Sequence, residues 1–197
     1  MSWSLPVANI QTPPYPWQKW LTGYASFNYT NSNRTVEGNT GLSKYVRSLY
    51  PKASGKWYAE VTINTMAGGG YIYVGAYLST DIDGASSTTG DSANGWAYIS
   101  NTGNKYHTAA STAYGSTFTT GDVIGVAIDC DNDKIWFSKN GVWQASGDPA
   151  AGTNAAYTDL AGTIVLRPQV YAGGKITINS DPSTLLYSIP SGFSAWA

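Results

Sequence analysis

Asp129, Asp131 and Asp133 stand at alternate positions, the Asp-x-Asp-x-Asp spacing with which calcium loops begin. An EF-hand loop would continue with glycine and end on an acidic ligand at its twelfth position; those positions hold Lys134 and Asn140. The cluster also separates two strand-like runs rather than two helices, so it reads as a hairpin turn. His107 is the single histidine and Cys130 the single cysteine. One of each cannot supply a zinc site. No G-x-S-x-G elbow offers His107 a nucleophile, and it reads as a surface or loop-packing residue. Cys130 ends an apolar run between two aspartates, where no cation favours a thiolate, so it reads as a half-buried structural thiol. Glycoside hydrolysis needs two carboxylates opposed across a cleft. The glutamates are Glu37 and Glu60, and Glu60 reads as facing solvent or pairing across its sheet. Gly68-Gly69-Gly70 is no phosphate cradle, because no helix follows it. The chain is therefore expected to be no enzyme, with no catalytic, metal or cofactor-binding residues and no cofactor.

What remains for recognition is aromatic. The chain has eight Trp and fifteen Tyr. Loop aromatics can stack on sugar faces or fill pockets on protein partners. Tyr98, Tyr106, His107, Tyr114 and Trp143 are the candidates for a loop binding surface. A second candidate is residues 1–23, where Pro6, Pro13, Pro14 and Pro16 alternate with Trp3, Tyr15, Trp17 and Trp20. Proline blocks both helix and central strand, so this segment reads as an extended anchoring arm. Two readings stay open: an arm packed back on its own domain, or one docking on another subunit.

The elements that must position these residues are strands. Only 12% of residues are charged, against 42% hydrophobic and 22 glycines. That balance disfavours both disorder and salt-bridged surface helices. Runs rich in Tyr, Trp, Val, Ile and Thr, separated by Gly, Asn and Asp, fall at 24–29, 34–37, 42–49, 56–64, 71–78, 96–100, 123–128, 134–139, 163–171 and 175–179. Lys56–Asn64 places Trp57, Ala59, Val61 and Ile63 on one face. Asn140-Gly141 suits a hairpin turn with positive φ at both central residues. Loops are expected at 79–95 and 145–161, a polar stretch at 105–119 and a closing tail at 185–196. At 197 residues this pattern suits one all-β sandwich domain, residues 24–197, behind the arm.

Composition narrows the partners. Net charge is −1 with Lys and Arg scattered singly, so no nucleic acid is expected. No apolar run approaches about 18 residues, so no membrane span is expected. The N-terminus lacks the charged and apolar regions of a secretory signal peptide. A lone cysteine allows no internal disulfide and fits synthesis in a reducing cytoplasm. Self-association stays open, with no heptad repeat to impose threefold order.

Several of these motifs coincide with one family. Gly121, Asp122, Ile124, Gly125, Val126 and Asp129, followed by Ile135, Phe137, Lys139, Asn140 and Gly141, match its "G-D-x-I-G-V-x-x-D … I-x-F-x-K-N-G" meander. Gly55–Val61 matches its "G-K-x-Y-x-E-V" strand, and Val74-Gly75-Ala76, Trp96-Ala97-Tyr98 and Leu166-Arg167-Pro168 resemble later strands. The chain thus resembles the SPRY domain over about residues 24–197. One departure is that Ser180-Asp181 follows Ile178-Asn179 where the family has Phe-Gly. The resemblance implies a bent β-sandwich of two antiparallel sheets, similar to concanavalin A-like lectins, that binds peptides or proteins through loops at one edge.

A narrower resemblance sets the expected function. The segments at Thr30–Gly41 and Gly103–Asp131, and the ending PSGFSAW, resemble SPRY-like domains in tailed-bacteriophage structural proteins. They imply a virion component, a capsid decoration or part of a tail fibre, made in the host cytoplasm and anchored to other virion proteins by the arm. The alternatives are a lectin-like module for a host-surface glycan and an intracellular SPRY adaptor that grips a peptide.

Overall fold

The computed structural model describes residues 27–39, 44–67, 70–81 and 88–196. The proposed arm, with Trp3, Tyr15, Trp17 and Trp20, lies outside the described residues. Within them, fifteen strands form two sheets packed face to face. The first orders β1 (Phe27–Thr30), β2 (Thr35–Gly38), β14 (Lys175–Asn179), β4 (Lys56–Thr65), β9 (Val123–Asp129), β10 (Lys134–Lys139) and β11 (Val142–Trp143). The short β15 (Ser194–Ala195) lies parallel to β4; every other pairing is antiparallel. The second sheet orders β3 (Lys44–Tyr45), β13 (Gln169–Val170), β5 (Tyr73–Leu78), β6 (Gly95–Ile99), β7 (Asn104–His107) and β8 (Ala110–Ala113), with β12 (Ile164–Leu166) also on β5. The expected two-sheet, all-β sandwich is what forms.

The alternation read in β4 works as anticipated on one face. Ala59, Val61 and Ile63 are fully buried between the sheets, with Trp57 packed at their margin. Val74, Ala76, Trp96 and Tyr98 meet them from the second sheet. Trp96, Trp136 and Trp196 are wholly buried. Burying 150–250 Å² apiece at about 25 cal/mol/Å² gives each roughly 4–6 kcal/mol of gross transfer free energy.

The opposite face of β4 is buried too. Leu185, Ile189 and Phe193 pack with Tyr58, Ala127 and Trp136 on the outer surface of the first sheet. Glu60, expected at solvent or in a cross-sheet pair, is 0% exposed. Its carboxylate accepts the backbone N–H groups of Leu186 and Tyr187, both at 2.8 Å, and the Tyr58 hydroxyl at 3.0 Å. A buried carboxylate persists only when so satisfied. Burial nevertheless pushes its pKa up, against the lowering effect of those three donors. The tail that was expected only to close the chain is thus a strap clamped across the sheet.

Other elements differ from expectation too, and the strand expected over 42–49 is reduced to Lys44–Tyr45 among the described residues. The polar stretch 105–119 contains a hairpin, β7–β8, turning on Thr108 and Ala109 at φ 50° and 57°. The long strand expected over 163–171 is split at Arg167-Pro168 into β12 and β13, since proline cannot donate to a ladder.

Candidate functional site

The signature meander turns out to be scaffold. Asn140 and Gly141 have φ of 49° and 80°, the geometry the hairpin needs. Asp122 clasps this turn: it accepts the Asn140 side-chain amide at 2.7 Å and faces the Lys139 ammonium at 3.2 Å. At the other end, Asp129 accepts the backbone N–H groups of Asp131 and Asn132 and pairs with Lys56 at 3.0 Å. Asp131 accepts the Gly55 N–H at 2.8 Å. The acidic cluster is therefore a turn whose carboxylates hold backbone and lysine. Among the described residues no three His, Cys, Asp or Glu side chains group as a metal site would require. Cys130 is buried, and burial together with Asp131 and Asp129 pushes its thiol up to about 12.

The five aromatic candidates fall in three places rather than one. Tyr98 is fully buried, its hydroxyl donating to the Ser116 carbonyl and its ring against Tyr114, Phe118 and Phe137. Tyr114 packs with it and offers its hydroxyl to the Phe137 N–H at 3.2 Å. His107 also packs in, stacked on Trp96 at 5.3 Å with Nδ1 on the Gly95 carbonyl. Its Nε2 lies 3.2 Å from Asp159, whose other oxygen takes the Trp96 indole N–H at 2.8 Å. This cluster has no nucleophile; it ties the 145–161 loop to the second sheet.

Tyr106, next to His107 in β7, points to the other face, as strand alternation requires. There it joins Tyr71 and Tyr73 in a row of rings, with centroids 5.5 Å apart for Tyr71–Tyr73 and 5.8 Å for Tyr73–Tyr106. Tyr71 is 38% exposed. The Tyr106 hydroxyl donates to Asp91 at 2.6 Å, and that bond, ahead of burial, pushes its pKa up to about 12. Tyr73 is likewise pushed up to about 12, mainly by burial. Tyr73 and Tyr106 therefore present neutral phenols at physiological pH.

The floor beside this row is fixed from below. Arg167 is 0% exposed, its guanidinium 3.5 Å from the Tyr45 ring centroid and 4.1 Å from that of Tyr77. Such stacking is worth about 2 kcal/mol when desolvated. Thr89 donates to the Arg167 carbonyl, and its N–H meets Gln169 at 2.9 Å, pinning the segment that carries Asp91. Sequence reasoning saw Arg167 only as part of a strand motif.

Trp143 lies on the outer face of the first sheet, edge-on to Tyr58 at 6.2 Å. Glu60, Gly125, Ser138 and Trp143 are successive partners in one cross-strand row. Gly125 leaves a gap there that Ser138 and Tyr58 overhang, and with Tyr187, Ser188, Ile189 and Pro190 of the strap they bound a cleft of about 380 Å³. The molecule thus offers two aromatic surfaces, one on each sheet.

Comparison with known proteins now bears on the reading. The sequence model of the SPRY domain matches residues 56–181. Ran-binding protein 9 of Xenopus tropicalis is 31% identical over 136 residues, covering 66% of this chain and 24% of that protein. The Ran-binding proteins 9/10 homolog of Drosophila melanogaster is 34% identical over 100 residues, 49% of this chain and 10% of that protein. Ran-binding protein 10 of Danio rerio is 27% identical over 148 residues, 74% and 23%. The chain spans about a quarter or less of the length of these relatives. The crystal structure of the SPRY domain of human HERC1 shares the fold, with a TM-score of 0.62 at 21% identity, covering 77% of this chain and 91% of that one.

These relatives overturn the expectation of a tailed-phage virion protein, whether capsid decoration or tail fibre. They are Ran-binding proteins of frog, fly and fish. Within the segment Thr30–Gly41 that carried part of the resemblance, Asn31, Ser32 and Asn33 all take positive φ in the β1–β2 turn.

Proposed function

The chain belongs to the SPRY domain family, and from that premise we propose that it is a non-enzymatic intracellular adaptor that grips a peptide segment of a partner protein. The observation that carries this reading is the Tyr71–Tyr73–Tyr106 row beside Asp91. It combines exposed ring faces with neutral hydroxyl donors on a rigid sheet. Tyrosines supply large contact area with few rotors to freeze, which suits them as binding anchors. Ring faces take apolar side chains of the peptide, and the Tyr71 and Tyr73 hydroxyls take its carbonyls. The relatives bear the name Ran-binding proteins, and a protein ligand is what we carry over from them to this chain.

A random-peptide library selected against the immobilised full-length chain tests the proposal. It predicts a family of related peptides that compete with one another and are lost together in the Tyr71→Ala/Tyr106→Ala variant. Recovery of no peptide consensus, with saturable binding to a glycan array instead, would sink it.

A further inference from the structure

Among the described residues the large apolar side chains left exposed are Tyr71, Val142 and Leu186. Tyr71 belongs to the tyrosine row. Val142 and Leu186, 67% and 62% exposed, are the sequence neighbours of Trp143 and Tyr187, which line the cleft on the opposite sheet. Exposed apolar residues grouped at a concave site mark a surface that something covers.

We propose that this cleft is a second binding site, taking a proline-rich segment of a partner protein in the polyproline II conformation. The lining names the chemistry. Ser138 is 1% exposed and its Oγ makes no hydrogen bond, although it overhangs the gap at Gly125. The Tyr58 hydroxyl stands beside it over the same gap and is given to Glu60. No ionised side chain lines the cleft. Glu60, in the same cross-strand row, is occupied by the strap N–H groups and Tyr58. The occupant is therefore neutral.

Proline segments lack backbone N–H groups and present carbonyl acceptors, which the hydroxyls of Ser138 and Ser188 can serve. Trp143 and Tyr187 supply the aromatic walls on which proline rings pack, and the segment is pre-extended, so little entropy is lost on docking. A sugar would call for amide or carboxylate side chains to hold its paired hydroxyls, and none lines the cleft. The volume of about 380 Å³ is in the range of ligand pockets. This inference does not rest on the tyrosine row, since the two surfaces lie on different sheets.

The test is calorimetric titration of the full-length chain with a decaproline peptide, a neutral Ala-Ser decapeptide and a chitin hexasaccharide. Saturable binding of decaproline alone is expected. Trp143→Ala should weaken it about tenfold or more, as for a central aromatic anchor. Val142→Asp, at an exposed position that does not support the core, should also weaken it, whereas Tyr106→Ala should not. Absence of decaproline binding at millimolar concentration overturns the proposal, as does equal binding of the Ala-Ser peptide or binding of the saccharide alone. Binding seen only in the Pro13→Ala/Pro14→Ala/Pro16→Ala variant would assign the cleft to the chain's own N-terminal segment and would likewise overturn it.

Discussion

Gly125 faces Ser138 across the β9–β10 ladder so closely that a methyl group on it would lie 2.3 Å from the Ser138 Oγ. The same methyl would lie 2.8 Å from the Tyr58 hydroxyl. Glycine is required here by close approach, since the position's φ is unremarkable. Gly125→Ala should cost about 1–3 kcal/mol, the range for overpacking. Gly125→Ala/Ser138→Gly should recover part of that loss, because one of the two clashing groups is gone. Urea denaturation of the two variants checks the coupling.

The strap across the first sheet hangs on Glu60. Glu60→Ala strands two backbone N–H groups and a tyrosine hydroxyl, and should cost about 2–4 kcal/mol in urea unfolding. Its pH dependence has a defined sign. The folded pKa is raised above the ordinary glutamate value of 4.5, mainly by burial. The stabilisation linked to its protonation is fully present below that value and is lost as pH rises through the folded pKa. Wild type should therefore lose stability relative to Glu60→Gln as pH rises from 4.5 through this window.

Asp129 works in the opposite sense. Burial pushes its carboxyl up, but the Asn132 amide and the Lys56 ammonium outweigh burial and hold it below the usual aspartate value of 3.8. Its contribution is present above that value and disappears as pH falls through the folded pKa. Wild type should lose stability on acidification below 3.8, and Asp129→Asn should lose less over the same interval. Thermal unfolding between pH 2 and 5 measures both.

Cys130 should be inert in the folded protein. With its thiol pushed up to about 12, almost no thiolate exists at pH 8. Iodoacetamide should leave the native chain unmodified and alkylate it fully in 6 M guanidinium, as read by mass spectrometry.

The meander was legible because its turns announce themselves. Asn140-Gly141 is among the few dipeptides that accept positive φ twice, and Asp129–Asp133 is dense in turn formers. The β7–β8 hairpin was not, since Thr108 and Ala109 seldom take the positive φ they adopt here. Missing that strand hid the alternation that separates Tyr106 from His107. Tyr71 and Tyr73 read as strand, and only pairing of β5 with β6 and β6 with β7 brings them beside Tyr106. Glu60 was misread because its partners lie 126 and 127 residues away. Local pattern shows which face of a strand is apolar; it cannot show that a distant tail will cover the other face.

The most direct test of the adaptor reading is the affinity of one library-selected peptide that does not compete with decaproline, for wild type, Tyr106→Ala and Trp143→Ala, measured by calorimetry on the full-length chain. The account predicts about tenfold or greater weakening in Tyr106→Ala, the loss expected of an interface anchor, and unchanged affinity in Trp143→Ala. Wild-type affinity in Tyr106→Ala would contradict it.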